Sequence, residues 1–167
     1  CWVVKADGYG HGAAFVAREL EDMGAKWFAV SNLEEAIQLR RSGISASLLI
    51  LGYTPASMAE RLLELNISQT VFSLSYGQEL SEYAARLAAP IPIHLKVDTG
   101  MSRIGFLYQD ARRDEGVLRD MEAVCRLPGL RPEGIFTHFA VSDEDINIGI
   151  SIRKGNTELL DAVNKVL

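Results

Sequence analysis

The stretch Trp2-Val3-Val4-Lys5-Ala6-Asp7-Gly8-Tyr9-Gly10-His11-Gly12 joins a short apolar run to a lysine and then to a loop with glycine at alternate positions. Beyond it, Ala13, Val16, Ala17 and Leu20 share one helical face, Arg18, Glu19 and Glu21 point away, and Gly24 ends the helix. Strand, loop and helix in that order make the first half of a βαβ unit. Lys5 therefore falls at the C-terminal end of a strand, where parallel α/β folds bind their ligands. An apolar wall disfavours an ammonium, and a Schiff base requires a neutral amine, so Lys5 is a candidate carbonyl-binding nucleophile. The competing reading is a strand-end lysine that extends its charge to water. Glycines 8, 10 and 12 permit close backbone approach, and the N-terminus of the following helix is suited to an anion such as phosphate. Tyr9 is either a hydroxyl donor to that anion or an exposed loop aromatic, and His11 is a local hydrogen-bonding residue.

Outward from this stretch, short apolar runs alternate with helical patterns along the chain. Strands are predicted at Cys1–Lys5, Lys26–Val30, Ser47–Leu51, Gln69–Ser73, Ile91–Val97 and Gly134–His138. Helices are predicted at Gly12–Met23, Leu33–Ser42, Ala56–Leu65, Tyr76–Ala88, Arg113–Arg126 and Asn156–Leu167. Asn32 caps the second of these, with Glu35 at capping-box spacing and the basic pair Arg40-Arg41 before the Gly43 stop. Asp145 to Arg153 alternates apolar and polar residues in the manner of a strand. This α/β pattern suits either a (β/α)8 barrel of the TIM type or an open doubly wound sheet, and periodicity does not choose between them. An eight-stranded barrel takes about 250 residues, so six βα units in 167 residues would be a barrel lacking its closing pair. The chain starts at Cys1 without an initiator Met and stops at Leu167 inside a helical pattern, which predicts a piece of a longer protein.

With 48% hydrophobic and 23% charged residues, the chain can bury one core and is not a disordered segment. A net charge of -5 argues against a nucleic-acid binder, whose affinity would come from a basic surface. No apolar run approaches the roughly 18 residues of a membrane span, and no leader precedes the first strand. Cys1 and Cys125 form neither metal-ligand spacing nor a disulfide framework, so no metal is expected and a reducing cytosol fits. The Asn66-Ile67-Ser68 sequon is read as chance.

Two further segments carry reactive side chains. In His94-Leu95-Lys96-Val97-Asp98-Thr99-Gly100-Met101-Ser102-Arg103-Ile104-Gly105-Phe106, Lys96 and Asp98 share a strand face, and Arg103 returns from the loop beyond it. A buried Arg needs an anionic partner, which Asp98 or a modified Lys96 would supply; alternatively, a structural salt bridge closes the loop. In Glu133-Gly134-Ile135-Phe136-Thr137-His138-Phe139-Ala140, the strand-end His138 either stacks on a planar ligand and shuttles protons or is a satisfied core histidine. Under one fold, Lys5, Arg103 and His138 fall at the same rim.

Val3 to Gly12 closely resembles the pyridoxal-phosphate lysine motif of the alanine racemase family. Leu95 to Gly105 resembles that family's second signature, and Glu133 to Ala140 its third, in the family's order. The resemblance covers residues 1–145, and nearly the whole chain if the last helix is included. It implies a fold-type III barrel holding pyridoxal 5'-phosphate at its strand ends, with residues 1–167 forming part of that domain and the family's C-terminal β domain absent. By the same resemblance Lys5 bonds the cofactor and acts as one of two proton-transfer bases, on the D-enantiomer side, and Tyr9 binds its phosphate. Arg103 bonds the phenolic oxygen and His138 stacks on the pyridine face. Lys96 matches a position carbamylated in many members, which turns a cation into an anion that orients the arginine. The implied activity is interconversion of L- and D-alanine for peptidoglycan precursors, in the cytoplasm, by a homodimer. Its opposing tyrosine comes from the other subunit's C-terminal domain, so the piece alone is expected to be inactive. A serine/alanine racemase domain of a membrane-anchored resistance protein shares these motifs. A non-catalytic pyridoxal-phosphate barrel is a further alternative, although the Lys96 to Arg103 segment argues for racemase ancestry.

Overall fold

A computed structural model describes residues 1–109 and 114–140. Strands β1 (Trp2–Val3), β2 (Trp27–Val30), β3 (Ser47–Ile50), β4 (Ile67–Val71), β5 (Ile91–Asp98), β6 (Phe106–Leu107) and β7 (Leu130–Thr137) form one sheet in which every pairing is parallel. Each of β1 to β5 lies beside its predecessor in sequence, and β7 adds on to β5. A doubly wound sheet reverses its strand order part-way; stepwise addition is how a barrel grows. The ambiguity left by periodicity is thereby resolved as an incomplete barrel.

The helices are α1 (Ala13–Asp22), α2 (Leu33–Arg41), α3 (Ala59–Glu64), α4 (Leu74–Ala84) and α5 (Glu115–Cys125). They pack on one sheet face, where Phe28, Val30, Leu48, Ile50, Ile93 and Leu95 meet Ala17, Leu39, Leu62, Leu80 and Val124 in the main core. Alternation sends the intervening residues to the concave face. There Trp27, Ala29, Leu49, His94, Phe136 and His138 line a cavity of about 370 Å³. No helix among the described residues is long and apolar enough to cross a membrane.

Boundaries depart from the sequence reading where polar residues serve in strands. β4 starts at Ile67, two residues early, because Asn66 turns at φ 49 and Ser68, Gln69 and Thr70 are all buried. β7 starts at Leu130, ahead of the expected Gly134, although Pro132 lacks an N–H. Its register with β5 runs Ile93↔Pro132 and then His94↔Gly134, leaving Glu133 in a bulge that admits the proline. The predicted helix over Ala56–Leu65 divides into a 3₁₀ turn at Ala56–Met58 and α3. α4 begins at Leu74, where Ser73 caps it by accepting from Tyr76 N. The two-residue β6 was not expected. The predicted helix at Asn156–Leu167 and the alternating run from Asp145 to Arg153 lie outside the described residues.

Candidate active site

Val4 is buried and extends β1 by donating its N–H to Ala29 O at 2.9 Å. The backbone then enters the left-handed region and stays there: φ is 51° at Ala6, 52° at Asp7, 63° at Gly8, 56° at Tyr9 and 86° at Gly10. Left-handed helical geometry costs about 1–2 kcal/mol for each residue with a Cβ, so Ala6, Asp7 and Tyr9 need external support. Asp7 Oδ1 accepts from Ala13 N at 2.8 Å, its carbonyl accepts from Gly12 N at 2.9 Å, and His11 Nδ1 donates to Gly8 O at 2.9 Å. Glu35 reaches in from α2, its Oε1 accepting from Ala6 N at 2.8 Å and its Oε2 from Ser31 N at 2.7 Å. Gly8 also sits in a tight space, since a Cβ there would stand 3.2 Å from Ala13 N and Cα.

Within this turn Gly8, Gly10, His11 and Gly12 donate inside the segment and Ala13 N donates to Asp7. Lys5 is half-buried: β1 pairs only with β2 among the described strands, and Trp2 and Val3 are exposed. His11 is the local hydrogen-bonding residue expected. Tyr9 is 60% exposed on the turn that follows Lys5.

On β5, Lys96 is only 2% exposed, its Nζ has no hydrogen-bond partner among the described residues and it lies 5.7 Å from the centroid of the Phe136 ring. Burial, followed by the positive charge of Arg103, pulls its pKa below the usual lysine value, with Asp98 opposing. Asp98 does not pair with Arg103, which is exposed. Its Oδ1 instead accepts from Gly100 N at 2.9 Å and Ser102 N at 3.0 Å, fastening the loop that carries the arginine. Burial alone would raise the Asp98 carboxyl, but the N–H groups of Ser102, Gly100, Met101 and Arg103 together hold it below the ordinary carboxylate value.

His138 follows the last residue of β7 and is half-buried. Its pKa is lowered by burial first, then by Arg103, Lys96 and Lys5, so all three cations act on this one ring. Thr99 and Thr137 hydroxyls meet at 2.8 Å and tie the end of β5 to the end of β7. Lys5, Lys96, Arg103 and His138 thus gather at one rim. The sequence reading missed Glu35 as a strap across two strand ends, and the Thr99–Thr137 link; the capping-box spacing at Asn32 was the sole signal of the former. Among the described residues no His, Cys, Asp and Glu cluster is placed to hold a metal.

The fold and this rim define a parallel β/α barrel that presents an amine and a group of cations at its strand ends. The sequence profile of the alanine racemase N-terminal domain matches residues 1–162, and the chain belongs to that family. It is 47% identical over 142 residues to the alanine racemase of Clostridium perfringens strain SM101, covering 85% of this chain and 36% of that protein. Alanine racemase 2 of Caldanaerobacter subterraneus is likewise 47% identical over 142 residues, 85% of this chain and 35% of its own. Among solved structures, alanine racemase of Clostridium difficile 630 superposes with a TM-score of 0.79 at 40% identity, over 86% of this chain and 37% of that one. The E. faecalis enzyme gives 0.76 at 35% identity, over 99% and 43%. The chain spans about a third of the length of these curated relatives, 36% and 35%.

Alanine racemases depend on pyridoxal phosphate. The residues here fit that group: a strand-end amine, the exposed guanidinium of Arg103 and an imidazole at the same rim suit an anionic, flat ligand.

Proposed function

We propose that the protein carrying this chain is a pyridoxal-phosphate-dependent alanine racemase and that Lys5, Tyr9, Lys96, Arg103 and His138 form the cofactor side of its site. The observation that carries the reading is the gathering of Lys5, Lys96 and Arg103 about His138 at one rim, with Lys96 Nζ buried and without a partner among the described residues. Bound pyridoxal phosphate supplies an electron sink for the substrate α-carbon. Lys5 Nζ holds the cofactor and moves the α-proton on one face, while Tyr9 holds the phosphate from the adjoining turn. Arg103 directs its guanidinium to the phenolic oxygen, and the lowered pKa of His138 keeps its ring neutral for stacking. Burial and Arg103 favour the free-amine form of Lys96, the form that adds carbon dioxide. Carbamylation joins Nζ to the carbon and releases a proton, leaving an anion that draws Arg103 into place.

Inverting a stereocentre needs a proton delivered from the opposite face, and by the family resemblance that base would come from the second subunit of a homodimer. The relatives named above are alanine racemases, which favours alanine over serine as substrate. The family resemblance favours a cytoplasmic location for that activity. The test is conversion of L-alanine to D-alanine by the full-length protein. Wild type is expected to convert and Lys5→Ala to lose at least a thousandfold in rate, roughly the scale of removing a proton-transfer group that also binds the cofactor. Undiminished conversion by Lys5→Ala would overturn the assignment.

A further inference from the structure

We propose that Glu35, outside the lysine motif and far from it in sequence, is a positioning residue for Lys5; this rests on the functional reading just given. The peptide joining Lys5 to Ala6 donates its N–H to Glu35 Oε1 at 2.8 Å, across 29 residues of sequence. The other oxygen accepts from Ser31 N at 2.7 Å, immediately beyond β2. One carboxylate therefore joins the ends of the first two strands, and it grips the chain at Ala6, where the left-handed backbone begins at φ 51°. The side-chain supports Asp7 to Ala13 and His11 to Gly8 lie within the segment, and Gly8 N returns to Val4 O on the same strand, so Glu35 is the link from this turn to the end of β2. Glu35 is itself fixed, because its N–H donates to the Asn32 side chain at 3.0 Å. A strained backbone persists only where its surroundings over-determine it, and Glu35 supplies the constraint that comes from outside the turn. With that peptide held, the direction in which Lys5 leaves β1 is set.

A glutamine keeps the shape but offers a single acceptor oxygen and turns an NH2 toward the other N–H. In the full-length protein, Glu35→Gln is expected to weaken pyridoxal phosphate binding about tenfold, as loss of a charge-assisted hydrogen bond does. The control Glu34→Gln, exposed on the same first turn of α2, should leave binding unchanged. Glycine adopts positive φ without strain, so Ala6→Gly should recover most of the loss when combined with Glu35→Gln. That recovery is a readout that general destabilisation does not give. Binding is followed by titration below the melting temperature of every variant, with borohydride trapping to locate the label. A labelled wild type whose affinity is unchanged in Glu35→Gln, or a loss that Ala6→Gly leaves untouched, overturns the role of Glu35 alone. A wild type with no label on Lys5 overturns the functional reading and this role with it. Should Glu35→Gln not fold, Glu35→Asp, one methylene short of both N–H groups, decides on the same affinity and the same rescue.

Discussion

Lys96 buries its amine on the concave face of β5 with no hydrogen-bond partner among the described residues. Leaving a buried polar group unpaired costs about 1–3 kcal/mol, so in the absence of cofactor Lys96→Met should stabilise the protein by about that amount. Urea unfolding checks this, and a loss of stability would mean that Lys96 is paired in solution. The histidines give a pH signature. His94, whose Nε2 is buried and unpartnered among the described residues, and His138 both have folded pKa values pulled below 6.5, in each case by burial first. The unfolded chain then binds protons more readily than the folded one. The associated stability is complete above the unfolded value and is lost as the pH falls through 6.5 toward the folded values. The urea midpoint should follow that curve, and His94→Gln should flatten its acid limb; an unaltered limb in the variant would remove His94 from the account.

At the scale of elements, the loop from Asp98 to Gly105 holds Arg103 by backbone contacts. A Cβ at Gly105 would meet Asp98 N at 2.7 Å, with φ at 144°. Gly105→Ala should therefore cost about 1–3 kcal/mol, seen as a lowered melting temperature, and should weaken cofactor binding more than a surface Gly→Ala such as Gly24, where a Cβ meets nothing. Most elements were legible because their hydrophobic period is regular: α1, α2, β2, β3 and β5 fall within a residue or two of their expected bounds. Others were hidden by chemistry that depends on a distant partner. The strand expected at Gln69–Ser73 takes in the buried Ser68 as well, and the one expected from Gly134 starts at Leu130 because a bulge at Glu133 admits Pro132. The left-handed turn at Ala6 to Gly10 gave only its glycines away, because the Glu35 bond that supports it spans 29 residues. Lys5, Lys96, Arg103 and His138 were visible as strand-end residues, whereas the turn of Asp98 toward its own loop depends on backbone geometry that no side-chain pattern encodes.

For the whole molecule, the stepwise strand order places β5 between β4 and β7 and leaves β1 bonded to β2 alone among the described strands. Amide exchange should consequently be slowest in Ile91–Val97 and fastest among the strands at Trp2–Val3, with bound cofactor slowing residues 5–12; uniform protection would contradict this gradient. The order also brings β1, β5 and β7 to one rim, so the site exists only through the barrel. The most direct measurement is to incubate the purified protein with pyridoxal phosphate, reduce with borohydride and map the added mass by peptide mass spectrometry. Label concentrated on Lys5 is the predicted result. Label divided between Lys5 and exposed lysines such as Lys26, in proportion to their exposure, would contradict the account.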